Sequence, residues 1–151
     1  MVEIIPSINV RTFEEVQDHI RKVEPYVKWC HLDVTDGVFS KHLTWHDPRD
    51  LLNLETKLNV EVHLMVNEPE KILDQWLVKP VKRIIVHLEA VKDMDLIIRK
   101  CREAGPPTKF GGGAGVEIGI AINPETFWGK LEPWFDKPRT LFGPALLNFL
   151  K

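Results

Sequence analysis

Short apolar runs alternate with segments of helical periodicity along this chain. The runs are rich in Val, Ile and Leu, and they span residues 3–10, 29–34, 60–66, 83–89 and 116–123. Strands that are buried on both faces of a parallel sheet are short and apolar in this way. The pattern therefore predicts five parallel strands.

Between these runs, apolar residues recur at spacings of three and four, which indicates helices that each bury one face. A weaker helical pattern covers residues 48–57. The four clear stripes are Phe13, Val16, Ile20 and Val23; Ile72, Leu73, Trp76 and Leu77; Met94, Ile97, Ile98 and Cys101; and Phe127, Leu131, Trp134 and Phe135.

Helix start signals precede three of these stripes. Thr12 and Glu15 have the spacing of a capping box, and so do Asn67 and Glu70. A third cap is predicted at Asn123, directly ahead of a first-turn proline.

Strand–helix–strand repetition predicts right-handed crossovers and an α/β fold with a parallel sheet. Two architectures remain open, a doubly wound sheet and a closed (β/α)8 barrel. A full barrel needs about 250 residues, so 151 residues hold about five to six βα units. The glycine-rich residues 106–115 lead into a strand, which favours a linker over a phosphate loop, because phosphate loops open helices.

Composition describes an ordinary globular chain, with 44% hydrophobic and 28% charged residues. The formal charge of −2 argues against nucleic acid and anionic membranes as partners. The N-terminal residues lack the basic flank and apolar run of a signal peptide, and no apolar stretch approaches the ~20 residues that span a bilayer, so we expect a cytoplasmic protein with no transmembrane segment. Cys30 and Cys101 are then expected to be reduced, buried thiols.

Polar side chains follow the predicted strands toward one end. His31 and Asp33 are two residues apart near the end of the second strand, so they face the same side. His63 with Met65, and His87 with Glu89, hold the same relation on the next two strands. Since active sites of β/α barrels form at the carboxyl ends of the strands, this end is the candidate site.

His31, Asp33 and His63 are a plausible ligand set for Zn²⁺, Fe²⁺, Mn²⁺ or Co²⁺. The alternative is a structural hydrogen-bond network, which is also a possible role for His87 and Glu89. His19, on a polar helix face, and His42 and His46, in the loop after the second strand, are expected to be exposed.

Six segments resemble the ribulose-phosphate 3-epimerase family in order and approximate spacing, as far as about residue 134. They are IPSI at 5–8, HLDVTDGVF at 31–39, LT at 43–44, VHLM at 62–65, VHLEA at 86–90 and GIAINP at 119–124.

The resemblance implies a (β/α)8 barrel that inverts C3 of a ketopentose phosphate with the help of one divalent metal ion. It implies that Asp33 is both metal ligand and acid/base, and that His31 and His63 are ligands. It implies substrate contacts from Ser7 and His63, with Met65 in the wall beside the intermediate.

The sequence departs from the family pattern in several places. Thr35 replaces a methionine and His42 replaces an asparagine. The family's second catalytic aspartate, on the seventh strand, and its phosphate loops, after strands six to eight, have no match here. We therefore expect one partial-barrel domain, family-like over 1–135, with an atypical tail at 136–151 whose apolar residues 145–150 form a short helix or cap.

Three functional hypotheses follow. The chain is an epimerase of ribulose 5-phosphate, an epimerase of another ketose phosphate, or a metal-binding half-barrel without activity that serves in binding or assembly. Because a partial barrel exposes strand edges and apolar surface, we also expect a homo-oligomer, a rearranged tail or low stability.

Overall fold

The computed structural model describes residues 3–104 and 115–135. Within them, five parallel strands form one sheet in the order β1-β2-β3-β4-β5. This sequential order is that of a β/α barrel, whereas the strand order of a doubly wound sheet reverses at its centre. The strands are β1 (Ser7–Ile8), β2 (Trp29–Thr35), β3 (Asn59–Met65), β4 (Val81–His87) and β5 (Glu117–Ala121).

All five predicted strands are present, with shifted bounds. The largest change is in β1, which pairs over only two residues. Its predicted start was wrong because Pro6 has no N–H to give to a ladder; its carbonyl alone bonds the N–H of His31, at 2.9 Å. Strand β4 ends two residues earlier than predicted, which leaves Glu89 in the following turn.

The helices pack on one face of the sheet. They are α1 (Phe13–Val23), α2 (Leu73–Trp76), α3 (Met94–Glu103) and α4 (Glu132–Phe135), with 3₁₀ turns at Pro48–Asn53, Pro69–Lys71 and Trp128–Leu131. The capping box of α1 is confirmed: Thr12 Oγ1 accepts the N–H of Glu15 at 3.2 Å, and the Glu15 carboxylate accepts the N–H of Thr12 at 3.1 Å. None of the helices in this part of the chain is long and apolar enough to cross a membrane.

The cap predicted at Asn67 was wrong. The 3₁₀ turn instead begins after Glu68, whose φ of 51° is left-handed and which makes no side-chain cap. The N–H of Glu68 bonds the carbonyl of Ala90 at 3.0 Å, and Glu70 turns inward to accept the N–H of Lys92 at 3.0 Å. These long-range bonds remove Glu70 from the capping position.

The fourth helix also begins later than predicted. Residues 124 and 125 form a turn, and Phe127 is 68% exposed instead of buried. The cause is Glu89, whose carboxylate accepts the N–H of Asn123 at 2.8 Å and the hydroxyl of Thr126. The glycine-rich linker, apart from Gly115, and the predicted tail lie outside the described residues.

The two faces of the sheet differ in character. The residues that face the helices are apolar, and they include Cys30, Leu32, Val34, Val60, Val62, Leu64, Ile84, Val86, Ile118 and Ile120. The opposite face carries a row of polar side chains, in which Ser7, His31, Glu61, Arg83 and Glu117 stand side by side in register. The next row is polar in its first two members only: Asp33, His63, Ile85 and Gly119. Alternation along buried strands thus separates the core from the candidate site.

Candidate metal centre

Three predicted ligands meet on the polar face. Asp33 Oδ1 lies 3.0 Å from His31 Nε2 and 3.1 Å from His63 Nδ1. Asp33 and His63 are direct cross-strand neighbours, and His31 is one row earlier on the strand of Asp33. One ligand atom from each of the three residues lies within 4.8 Å of the others, which is a spacing that can hold a metal ion.

Ser7 lies next to this group on its solvent-exposed side, which is called the open side below. Its hydroxyl donates to Asp33 Oδ2 at 2.7 Å, while both imidazoles approach Oδ1. The two histidine side chains are almost fully buried, but that of Asp33 is 12% exposed and Ser7 is exposed. Asp33 Oδ2 is therefore the carboxylate oxygen that faces outward.

The local electrostatics favour charge on Asp33 and on His31. Burial on its own raises the pKa of Asp33, but hydrogen bonds from His31, His63 and Ser7 outweigh it and hold the pKa far below the ordinary value. Burial lowers the pKa of His31, yet hydrogen bonds to Asp33 and Glu61 outweigh it and raise the pKa to about 9. Without a metal, an imidazolium and a carboxylate therefore neutralise each other.

The residues present fit a divalent cation. Two imidazole nitrogens and one carboxylate oxygen are the donors that Zn²⁺ and the late first-row metals accept. The Nδ1 of His31 faces a Glu61 carboxylate oxygen at 2.7 Å, which leaves Nε2 for the site. The Nε2 of His63 is buried and has no hydrogen-bond partner among the described residues.

Behind the three predicted ligands lies a charged row that sequence reasoning does not single out. Glu61 is fully buried between His31 and Arg83, and Arg83 also contacts Glu117. The sequence could have indicated Glu61, because it is two residues before His63 and so must face the same side of β3. A buried carboxylate beside a histidine pair is costly unless it is partnered.

His87 and Glu89 have different roles. The His87 ring is 1% exposed and stacks on His63 with centroids 4.9 Å apart. Burial, and then the proximity of His63, lower the pKa of His87 to about 4, so this imidazole is neutral. Glu89 joins the ends of β4 and β5 through Asn123 and Thr126, and its other carboxylate oxygen lies 3.5 Å from His87 Nδ1.

Thr35 is hydrogen-bonded to the loop that follows β2. The Thr35 hydroxyl donates to the carbonyl of His42 at 2.7 Å, and Thr44 Oγ1 accepts the N–H of Thr35 and donates to the carbonyl of Asp33. The hydroxyl is thus used by the loop. Met65 is buried beside Thr35 in the register, in the row beyond Asp33 and His63.

The remaining predicted residues lie where the sequence suggested. His19, His42 and His46 are exposed. Cys30 and Cys101 are free, buried thiols, and burial raises the pKa of each to about 12.

A sequentially ordered parallel sheet with a His-Asp-His ligand group on its polar face defines an α/β chain with a candidate metal centre. Comparison with known families identifies it further. The family model described as the ribulose-phosphate 3 epimerase family matches residues 3–141, and the chain belongs to this family.

Curated relatives named ribulose-phosphate 3-epimerase support this assignment. The protein of Chlamydia muridarum is 34% identical over 131 residues, which cover 83% of this chain and 51% of the relative. That of Treponema pallidum is 29% identical, with 82% and 53% covered, and that of Bacillus subtilis is 28% identical, with 90% and 59% covered. The chain thus spans about half the length of the curated relatives it matches.

Proposed function

We propose that the protein is a ribulose-phosphate 3-epimerase, which inverts C3 of a ketopentose phosphate and so interconverts D-ribulose 5-phosphate and D-xylulose 5-phosphate. The observation that carries the proposal is the convergence of His31, Asp33 and His63, whose ligand atoms lie within 4.8 Å, in a chain of this family.

The five strands are proposed to be part of an incomplete (β/α)8-type barrel, which forms one partial-barrel domain over residues 1–151. The sequential strand order supports this, as does a second face that carries a row of polar side chains instead of a helix-packed core. Inward-facing rows of this kind fill the interior of β/α barrels.

His31, Asp33 and His63 would hold one divalent ion, either Zn²⁺, Fe²⁺, Mn²⁺ or Co²⁺. When bound, such an ion stabilises the negative charge that develops on substrate oxygens as a proton next to a carbonyl is removed.

Asp33 is proposed to be the acid/base group. Its low pKa keeps it ionised at neutral pH, and Oδ2 faces the open side beside the hydroxyl of Ser7. A positioned carboxylate contributes about 10²–10⁴-fold to a proton transfer.

Three further side chains are proposed to contact the sugar phosphate. Ser7 is exposed next to Asp33 Oδ2, and His63 lies beside Asp33 on the same face of the sheet. Met65, in the next row, would give an apolar wall. Because the Thr35 hydroxyl is bonded to the loop, the methionine-to-threonine change adds no free polar group.

The test measures inversion and proton exchange separately. Protein loaded with Co²⁺ or Mn²⁺ is incubated with ribulose 5-phosphate in D₂O, and NMR follows both xylulose 5-phosphate and deuterium at C3. Asp33→Asn should abolish both signals. Asp18→Asn, on the exposed face of α1, is the matched control and should leave both unchanged.

The outcomes separate the alternatives. Faster turnover of another ketose phosphate would replace the substrate but keep the chemistry. Deuterium at C3 without inversion would indicate that Asp33 abstracts the proton while the opposite acid is lacking. A folded, metal-loaded protein with neither signal would favour a metal-binding half-barrel that does not catalyse.

Association with a second copy is also proposed. Among the described residues, the outer edges of β1 and β5 pair with no further strand, and such edges invite association. Sedimentation that finds only a stable monomer would contradict this.

A further inference from the structure

We propose that Glu61 is a positioning residue that fixes the tautomer of His31, and that Arg83 and Glu117 fix Glu61. The inference rests on the proposed metal site, because it concerns which nitrogen of His31 is offered to the ion. Glu61 itself touches neither the open side nor Asp33.

The first step is the contact between Glu61 and His31. The two residues are neighbours in the register of β2 and β3, and Glu61 Oε1 lies 2.7 Å from His31 Nδ1. Both side chains are almost completely buried, so water does not compete for this contact. An ionised carboxylate can only accept a hydrogen bond, so Nδ1 must carry a proton; when His31 loses its second proton to admit a metal, the lone pair is left on Nε2. That nitrogen faces Asp33.

The second step is Arg83, which determines how Glu61 can be oriented. Arg83 Nη1 donates to Glu61 Oε2 at 2.5 Å, while its Nε and Nη2 donate to one oxygen of Glu117 at 2.8 and 2.6 Å. The guanidinium also lies 4.4 Å from the ring centroid of Trp29. A guanidinium has donors only, so the Glu61 atom that faces it must be an acceptor.

The ligand His63 gives the contrast. Its Nδ1 faces Asp33, but its Nε2 has no partner among the described residues. Among the described residues, a carboxylate other than Asp33 thus accepts a hydrogen bond from His31, whereas none does so from His63. A change at Glu61 should therefore alter His31 and leave His63 as an internal reference.

The contacts of Glu61 predict how the substitution Glu61→Gln changes the tautomer of His31. The glutamine oxygen must face Arg83, because two donors cannot meet, and so its NH₂ group must face His31 Nδ1. That arrangement favours the opposite tautomer, in which Nε2 carries the proton and is closed to a metal. Support groups behind metal-bound histidines change metal affinity about 10–100-fold.

A second change should reverse this effect. In the double variant Glu61→Gln/Arg83→Met the cationic donor is gone, so the glutamine can rotate its oxygen toward His31. The original tautomer should return, and metal affinity should recover most of the loss. Glu117 can tolerate the change because its side chain is 37% exposed. A merely structural role predicts the reverse, since the double variant loses more contacts than the single one.

Two readouts test the inference. Long-range ¹H–¹⁵N correlation reports which ring nitrogens of His31 and His63 carry protons, both in Zn²⁺-loaded protein and in metal-free protein above pH 9, where His31 is no longer an imidazolium. Competition with a chelator gives Zn²⁺ affinities at several pH values, extrapolated to the deprotonated site so that a changed proton affinity of His31 does not enter. Wild type should show a protonated His31 Nδ1 and Zn²⁺ on Nε2.

Zn²⁺ on Nδ1 of wild-type His31 would overturn the inference without any variant. So would a Glu61→Gln protein with unchanged tautomer and affinity, or a double variant that binds no better than the single one. Failure of the proposed function gives a different signature: wild type would not bind Zn²⁺ through His31 and Asp33, or would bind it without epimerising.

Discussion

Metal binding at this site should depend strongly on pH. In the metal-free protein, hydrogen bonds to Asp33 and Glu61 outweigh burial and raise the pKa of His31 to about 9. Both ring nitrogens then donate, Nε2 to Asp33 and Nδ1 to Glu61. A metal ion needs the lone pair of Nε2, so it must displace a proton.

The pKa sets the size of the effect. At pH 7, which is two units below a pKa of about 9, His31 is deprotonated in only about 1 molecule in 100. Apparent metal affinity should therefore rise about tenfold per pH unit, or about 100-fold from pH 7 to pH 9, and level off above that. The sign follows from the raised pKa, because protonation competes with the metal at low pH.

Chelator competition with Mn²⁺ or Co²⁺ between pH 6.5 and 9.5 would measure the slope. Calorimetry at pH 7 in two buffers of different ionisation enthalpy should give the release of about one proton. His19→Gln removes an exposed histidine and should leave the slope unchanged. Equal affinity at pH 7 and pH 9, with no proton release, would refute the reasoning and indicate that His31 is not protonated in the metal-free protein.

Three further outcomes follow from single contacts. Because the folded pKa of His31 lies above its ordinary 6.5, the stability that its protonation gives is complete below pH 6.5 and is lost as the pH rises through 9. The metal-free protein should therefore lose about 3 kcal/mol of unfolding free energy over that range. Urea titrations that give the same unfolding free energy at every pH would contradict this. Gly119→Ala would place a Cβ 2.8 Å from Cγ1 of Ile85 and should destabilise by about 1–3 kcal/mol. The cost should shrink in an Ile85→Ala background, and equal costs in both backgrounds would exclude the clash. Thr35→Val removes the bond to the carbonyl of His42 and should cost about 1 kcal/mol in chemical denaturation, while metal affinity stays constant unless the hydroxyl serves the site.

The parts of the fold that the sequence predicts are those set by short-range rules. The alternation of side chains along a strand is enough to place His31 and Asp33 on one face and to bring His63 beside them. The capping box of Thr12 and Glu15 depends on residues three apart, and it forms as predicted.

The predictions that failed were overridden by contacts from distant residues. Glu70 has the spacing of a cap but accepts the N–H of Lys92 instead. The turn after β5 is determined by Glu89, which lies on the preceding βα unit. Neither partner can be read from a local pattern, because each carboxylate has several backbone donors within reach once the sheet has formed.

Two rows on the polar face of the sheet bear on the proposed site, and His31 is the residue that joins them. Its Nδ1 belongs to the charged row with Glu61, Arg83 and Glu117, whereas its Nε2 belongs to the site with Asp33. A buried charged row is weak evidence for stability, since apolar residues often serve as well. A function in orienting one imidazole gives a physical reason for it. The proton that competes with the metal is therefore held first by Asp33 and then by Glu61, whereas the proposed tautomer that admits the metal depends on Glu61.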